Sequence, residues 1–211
     1  NSAFDKAIHG RGASNGLTKN GRANGTRNKS PKFNIAQEIP AELIFSKNHV
    51  WLKKIESDYF FLGVDHFAQN IIKKITTFQF PFVGSKISKG EPIVSILGEW
   101  GVASIPSPIN CVIQKINSEL LLDVGKFFSD DIYQTWLLKV KATEIINQSL
   151  FHKSENYKEQ LNEVITNIKN IAGTSKIGAT MYDGGELISN LPDHLNKKEY
   201  VHLLNLIFNN K

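Results

Sequence analysis

The residues able to do chemistry in this sequence are few and scattered. Asp183 and Glu186 stand across Gly184 and Gly185, an arrangement that invites a metal or phosphate reading. Two carboxylates fall short of the ligand count of a calcium loop, and no glycine-rich phosphate loop with Lys and Ser/Thr accompanies them, so a turn is expected. The six histidines show no metal-site spacing: His49 and His66 are 17 residues apart, and neither has a Cys or His two to five residues away. His49 is therefore expected to be a structural hydrogen-bonding residue. Cys111, the single cysteine, leaves no internal disulfide and reads as a small buried residue on a strand. No serine or cysteine stands in a recognisable nucleophile context. The expectation is a protein with no catalytic residue, metal, cofactor or small-molecule substrate.

What remains is a question of which element presents which side chain. Residues 90–117, GEPIVSILGEWGVASIPSPINCVIQKIN, alternate on both sides of Gly98-Glu99-Trp100-Gly101, which predicts a β-hairpin with Trp100 at its turn. Pro106 and Pro108 follow the returning strand, where a bend tolerates a missing N–H. Trp100 has two readings. Exposed at the tip with Glu99 and Gly101, it is a contact for a partner, since tryptophan is enriched among interface hot spots. Folded back, it packs on its own sheet or on helices from the C-terminal part of the chain.

Around the hairpin, Tyr59–Val64 and Ile75–Phe80 read as strands. Asp65 caps a short helix over 65–72. Glu144–Phe151 fits one or two helical turns. Asn156–Ala172 places Leu161, Val164, Ile165, Ile168 and Ile171 on one helical stripe, with Gly173 as its stop. The last helix starts at a capping-box-like Asn196 and Glu199, and its apolar face is Tyr200, Leu203, Leu204, Ile207 and Phe208.

Of the 211 residues, 41% are hydrophobic and 21% charged, as in soluble globular chains. No apolar run reaches the roughly 18 residues of a membrane helix, and the start lacks a leader pattern, so a cytoplasmic protein without membrane insertion is expected. The formal charge of +5 is unevenly placed. Residues 1–33 hold seven basic residues and one acid, leaving 18 basic and 19 acidic residues in the rest. This Gly- and Asn-rich arm has too little apolar surface to offset ordering entropy and is expected to be flexible. It also lacks the aromatics that stack on bases, which leaves nucleic-acid binding through residues 6–32 as the weaker alternative.

These strands, in this order and spacing, resemble the glycine cleavage system H protein, a relative of the lipoyl and biotinyl carrier domains. His49 and Trp51 match the family's histidine-glutamate-tryptophan opening, with Val50 in place of the acid. Ala68 and Gln69 match its alanine-glutamine segment and Gly90 and Glu91 its glycine-glutamate pair. Leu43–Trp51 is similar to its opening strand, Val112–Asn117 to the strand that closes its domain, and Trp136–Val140 to its last strand, which begins at a tryptophan. The match loosens between Asn117 and Trp136, and Cys111 stands where the family has a turn glycine.

The resemblance implies an α+β, mainly β fold: a flattened β-barrel, or barrel-sandwich hybrid, over 42–141, with a basic arm over 1–41 and a helical extension over 142–211. Counted back from Pro108, the family's lipoyl-lysine position falls on Trp100. An indole nitrogen has its lone pair in the ring and forms no such amide, and Lys86, Lys89 and Lys115 lie on the flanks by sequence count. The resemblance thus implies a non-lipoylated, non-catalytic accessory subunit that binds protein partners in a multi-subunit complex. The alternative it leaves is the family's own role, a lipoyl carrier of aminomethyl groups.

Overall fold

The computed structural model describes residues 39–128, 131–173, 182–183, 186–187 and 195–208. The expected arm, apart from Ile39–Ala41, lies outside them, as do Gly184 and Gly185 of the predicted turn. Ten strands build two facing antiparallel sheets. In chain order they are β1 (Leu43–Phe45), β2 (Val50–Glu56), β3 (Tyr59–Val64), β4 (Ile75–Gln79), β5 (Lys86–Ile87), β6 (Pro92–Gly98), β7 (Gly101–Pro106), β8 (Cys111–Ile116), β9 (Leu138–Ala142) and β10 (His152–Lys153). The larger sheet runs β10-β1-β2-β3-β9-β8-β5 and the smaller β4-β6-β7. They form a flattened barrel-sandwich whose sheets do not close into a complete barrel.

Alternation fixes what lies between them. In β3, Phe60, Leu62 and Val64 are buried while Tyr59 and Phe61 are half-buried. Val140 opposite Phe60 and Leu138 opposite Leu62 continue the same inner face. Phe78, Val94, Ile96, Ala103 and Ile105 of the smaller sheet complete one apolar cluster. β-Branched and aromatic residues suit this pleated, half-buried setting.

Helices close the margins. The helix α1 (His66–Ile71) begins as predicted, with the Asp65 carboxylate accepting from the Ala68 N–H at 2.8 Å. A short helix α2 (Glu119–Leu122) and a 3-10 turn (Val124–Phe128) occupy the connection between β8 and β9, for which the sequence predicts no element. The turn is held by Gln69 Nε2, which donates to the Phe127 carbonyl. Instead of helical turns throughout, 144–153 contains a 3-10 turn at Gln148–Leu150 and then β10, which pairs with β1.

The helix α3 (Ser154–Gly173) follows, starting two residues before its predicted bound and ending on Gly173 itself. It buries Tyr157, Gln160 and Leu161; the side chains of Ile165, Ile168 and Ile171 lie outside the described residues. After the two-residue strands β11 (Tyr182–Asp183) and β12 (Glu186–Leu187), the helix α4 (Lys197–Phe208) starts on the reciprocal bonds between Asn196 and Glu199, at 2.9 and 3.1 Å. Its five predicted apolar residues are all buried, and it packs on β7. No described helix is long and apolar enough to cross a membrane.

Candidate functional site: the hairpin crest

The β6–β7 hairpin forms as its alternation predicts, with Gly98 paired to Gly101 and Glu99-Trp100 as a two-residue loop. Gly101 has φ +133°, a conformation that side chains with a Cβ rarely adopt. The crest presents only part of the expected contact. Glu99 is exposed and Gly101 half-buried, but Trp100 is 6% exposed, so its ring is unavailable to a partner in this arrangement. Of the two readings of Trp100, this arrangement has the folded-back one.

Three groups hold the ring. Its Nε1–H donates to the Lys73 carbonyl at 2.7 Å. It packs T-shaped against the Tyr200 ring of α4, with centroids 5.4 Å apart and planes at 81°. Gly98 leaves the space it fills: a Cβ there would stand 2.4 Å from Trp100 Nε1 and 2.7 Å from the Lys74 carbonyl.

Tyr200 is the second half of the joint. Its hydroxyl donates to the Ile71 carbonyl at 2.7 Å and accepts from the Lys73 N–H at 2.9 Å. Tyr200 and Trp100 thus use the backbone groups left open where α1 ends and β4 begins. Burial pushes the Tyr200 phenol up from 10.0 to about 12. At its far end, α4 is tied by Asn48 Nδ2, which donates to the Phe208 carbonyl at 2.5 Å. The helix therefore lies over β7 and the crest with both ends fastened.

A second polar cluster sits under α3. His49 Nδ1 is 2.7 Å from Asp65 Oδ2, the Tyr157 hydroxyl donates to the same oxygen, and Asp65 is fully buried. Burial, then the Asp65 charge, pushes the Tyr157 phenol well above its ordinary value. Phe45 stacks on Tyr157 at 3.9 Å. Each of these groups has a place in the packing: Asp65 caps α1, His49 closes the β1–β2 turn, and Tyr157 docks α3. His49 is the structural hydrogen-bonding residue that the sequence predicts. Cys111 is buried on β8, also as predicted. Among the described residues, no three His, Cys, Asp or Glu side chains are placed to share a metal ion.

A family model described as glycine cleavage H-protein matches residues 43–164, more than half of the chain. The chain belongs to the glycine cleavage H-protein family. The glycine cleavage system H protein of Bacillus pumilus (strain SAFR-032) is 31% identical over 125 residues, covering 59% of this chain and 97% of that protein. The one from Clostridioides difficile (strain 630) is 28% identical over 120 residues, covering 57% and 95%. The crystal structure of a glycine cleavage system H protein from Mycobacterium marinum matches with a TM-score of 0.51 at 19% identity, over 59% of this chain and 99% of that one, which supports the fold. In this H-family chain, α4 and most of the arm lie outside the matched residues, so the helix over the crest is an addition to the shared domain.

Sequence reasoning missed two residues at the crest. Lys73 enters through its carbonyl, for which no side-chain pattern exists. Lys74, exposed and at φ 54°, lies at the margin of the crest, because Ile75 pairs with Gly98. Sequence count puts only Lys86, Lys89 and Lys115 near the hairpin; Lys74 is brought there by β4 pairing with β6.

Proposed function

We propose that this H-family chain is a non-catalytic subunit that works through contact with other proteins, and that its crest is a closed structural joint without an acyl arm. The observation that carries the reading is the burial of Trp100 between Lys73 and Tyr200. If this position is the one at which relatives keep a modifiable lysine, the indole offers no nucleophile for an amide. A swinging arm also needs a free root, whereas α4 lies over β7 beside it. One buried, unpaired thiol suits a reducing compartment such as the cytoplasm.

A second reading is favoured by the relatives, since the matched region spans nearly the whole of proteins named glycine cleavage system H protein. In that reading the chain is a lipoyl carrier, and its amine is a displaced lysine, of which the exposed Lys74 is best placed. Intact mass and peptide mapping of protein purified from its native host separate the two. The bare polypeptide mass is expected. A lipoyl group on Lys74, or on any other lysine, establishes the carrier.

A further inference from the structure

The outer face of the larger sheet carries a pattern that the hairpin does not explain. Residues opposite one another across a ladder share a face, and the register joins Lys53, Phe61, Lys139 and Lys115 in one row across β2, β3, β9 and β8. The next row runs Tyr59, Lys141, Val112 and Lys86 across β3, β9, β8 and β5. The first row spans about 14 Å at ordinary strand spacing. Lys115 reaches this face because the ladder is bulged between Ile113 and Lys115; Ile113 remains buried and Lys115 is exposed.

Five lysines thus collect on one face, although the chain after residue 33 has slightly more acids than bases. Asp58 is 3.5 Å from Lys141, and Glu42 is 3.1 Å from Lys53. Glu56 lies opposite Tyr59. Among the described residues no carboxylate pairs with Lys86, Lys115 or Lys139. Lys139 and Lys115 stand directly opposite each other, a placement that works against sheet stability. The repulsion is relieved when an anionic surface covers the face.

The rings indicate which kind of anion. Tyr59 has the Lys139 and Lys141 ammonium groups over it at 5.2 and 5.6 Å. Trp136 has Lys115 over it at 5.7 Å and Phe61 against it at 5.0 Å. These ring faces are occupied by ammonium groups or by one another, so the bare stacking platforms of single-strand binding are not offered. The chain's own arm is basic, hence repelled. We propose that this face docks an acidic protein surface, clustered carboxylates meeting Lys86, Lys115 and Lys139. The proposal deepens the protein-contact reading above, but does not depend on the crest: a lipoyl adduct would overturn that reading and leave this face unaffected.

The test is fluorescence anisotropy on the full chain at low salt, with a fluorescein-labelled peptide of alternating Glu and Ala and an oligothymidine of equal charge. Lys86→Glu, Lys115→Glu and Lys139→Glu together are expected to weaken peptide binding about tenfold or more. Lys115→Gln with Lys139→Gln, a milder change that spares the fold, should weaken it in the same direction. Lys19→Glu, Arg22→Glu and Arg27→Glu together, an equal charge change in the arm, should have a smaller effect. The proposal is overturned if the peptide does not bind, if the arm variant accounts for the loss, or if oligothymidine binds this face more tightly than the peptide.

Discussion

The hairpin crest and the outer face of the larger sheet lie on one β domain and handle their conspicuous side chains in opposite ways. At the crest an aromatic residue on a two-residue turn is drawn in and sealed by a helix added beyond the shared domain. On the sheet, lysines are held out over aromatic rings with few carboxylates to answer them. An exposed-looking position in sequence can therefore be a packing joint, and a regular-looking strand can carry the outward chemistry.

The largest expected effect is at the crest. Trp100→Ala removes a buried ring, the bond to Lys73 and the packing of Tyr200, and should cost about 3–5 kcal/mol in urea denaturation, with α4 loosened. An effect below about 1 kcal/mol would place Trp100 with the surface residues and break the comparison. Gly98→Ala should cost about 2 kcal/mol, because its Cβ meets the Lys74 carbonyl as well as the indole.

Tyr200→Phe, which loses both hydroxyl bonds, should cost about 1–2 kcal/mol. This effect has a pH signature. The phenol is raised from 10.0 to about 12 in the folded chain, so its contribution is full below pH 10.0 and is lost as pH rises to about 12. Thermal melts of Tyr200→Phe should fall less over that window than those of the unaltered chain. Smallest of all, Lys115→Gln with Lys139→Gln should leave stability within about 0.5 kcal/mol or raise it slightly, since it removes a cross-strand repulsion. A clear loss in the same melts would assign these lysines to the fold rather than to docking.

Much of the frame was legible because it is local. Alternation locates the hairpin, Asp65 announces α1, Asn196 with Glu199 marks the start of α4, and the spacing of its apolar residues gives the face it buries. The direction of Trp100 was not legible, because it is decided by a carbonyl 27 residues earlier and a tyrosine 100 residues later. The lysine face was hidden by register. In Cys111–Ile116 plain alternation sets Lys115 on the side of Cys111 and Ile113, and only the bulge turns it outward. The short elements between Asn117 and Trp136 depend on a bond from Gln69, which no local pattern encodes.

The closed crest is tested most directly by hydrogen exchange of the three tryptophan indole N–H groups, followed by NMR. The Trp100 indole proton should exchange far more slowly than that of the half-buried Trp136, and lose this protection in Tyr200→Phe. Exchange of Trp100 as fast as Trp136 in the unaltered chain would mean that the crest stands open and contradict the account.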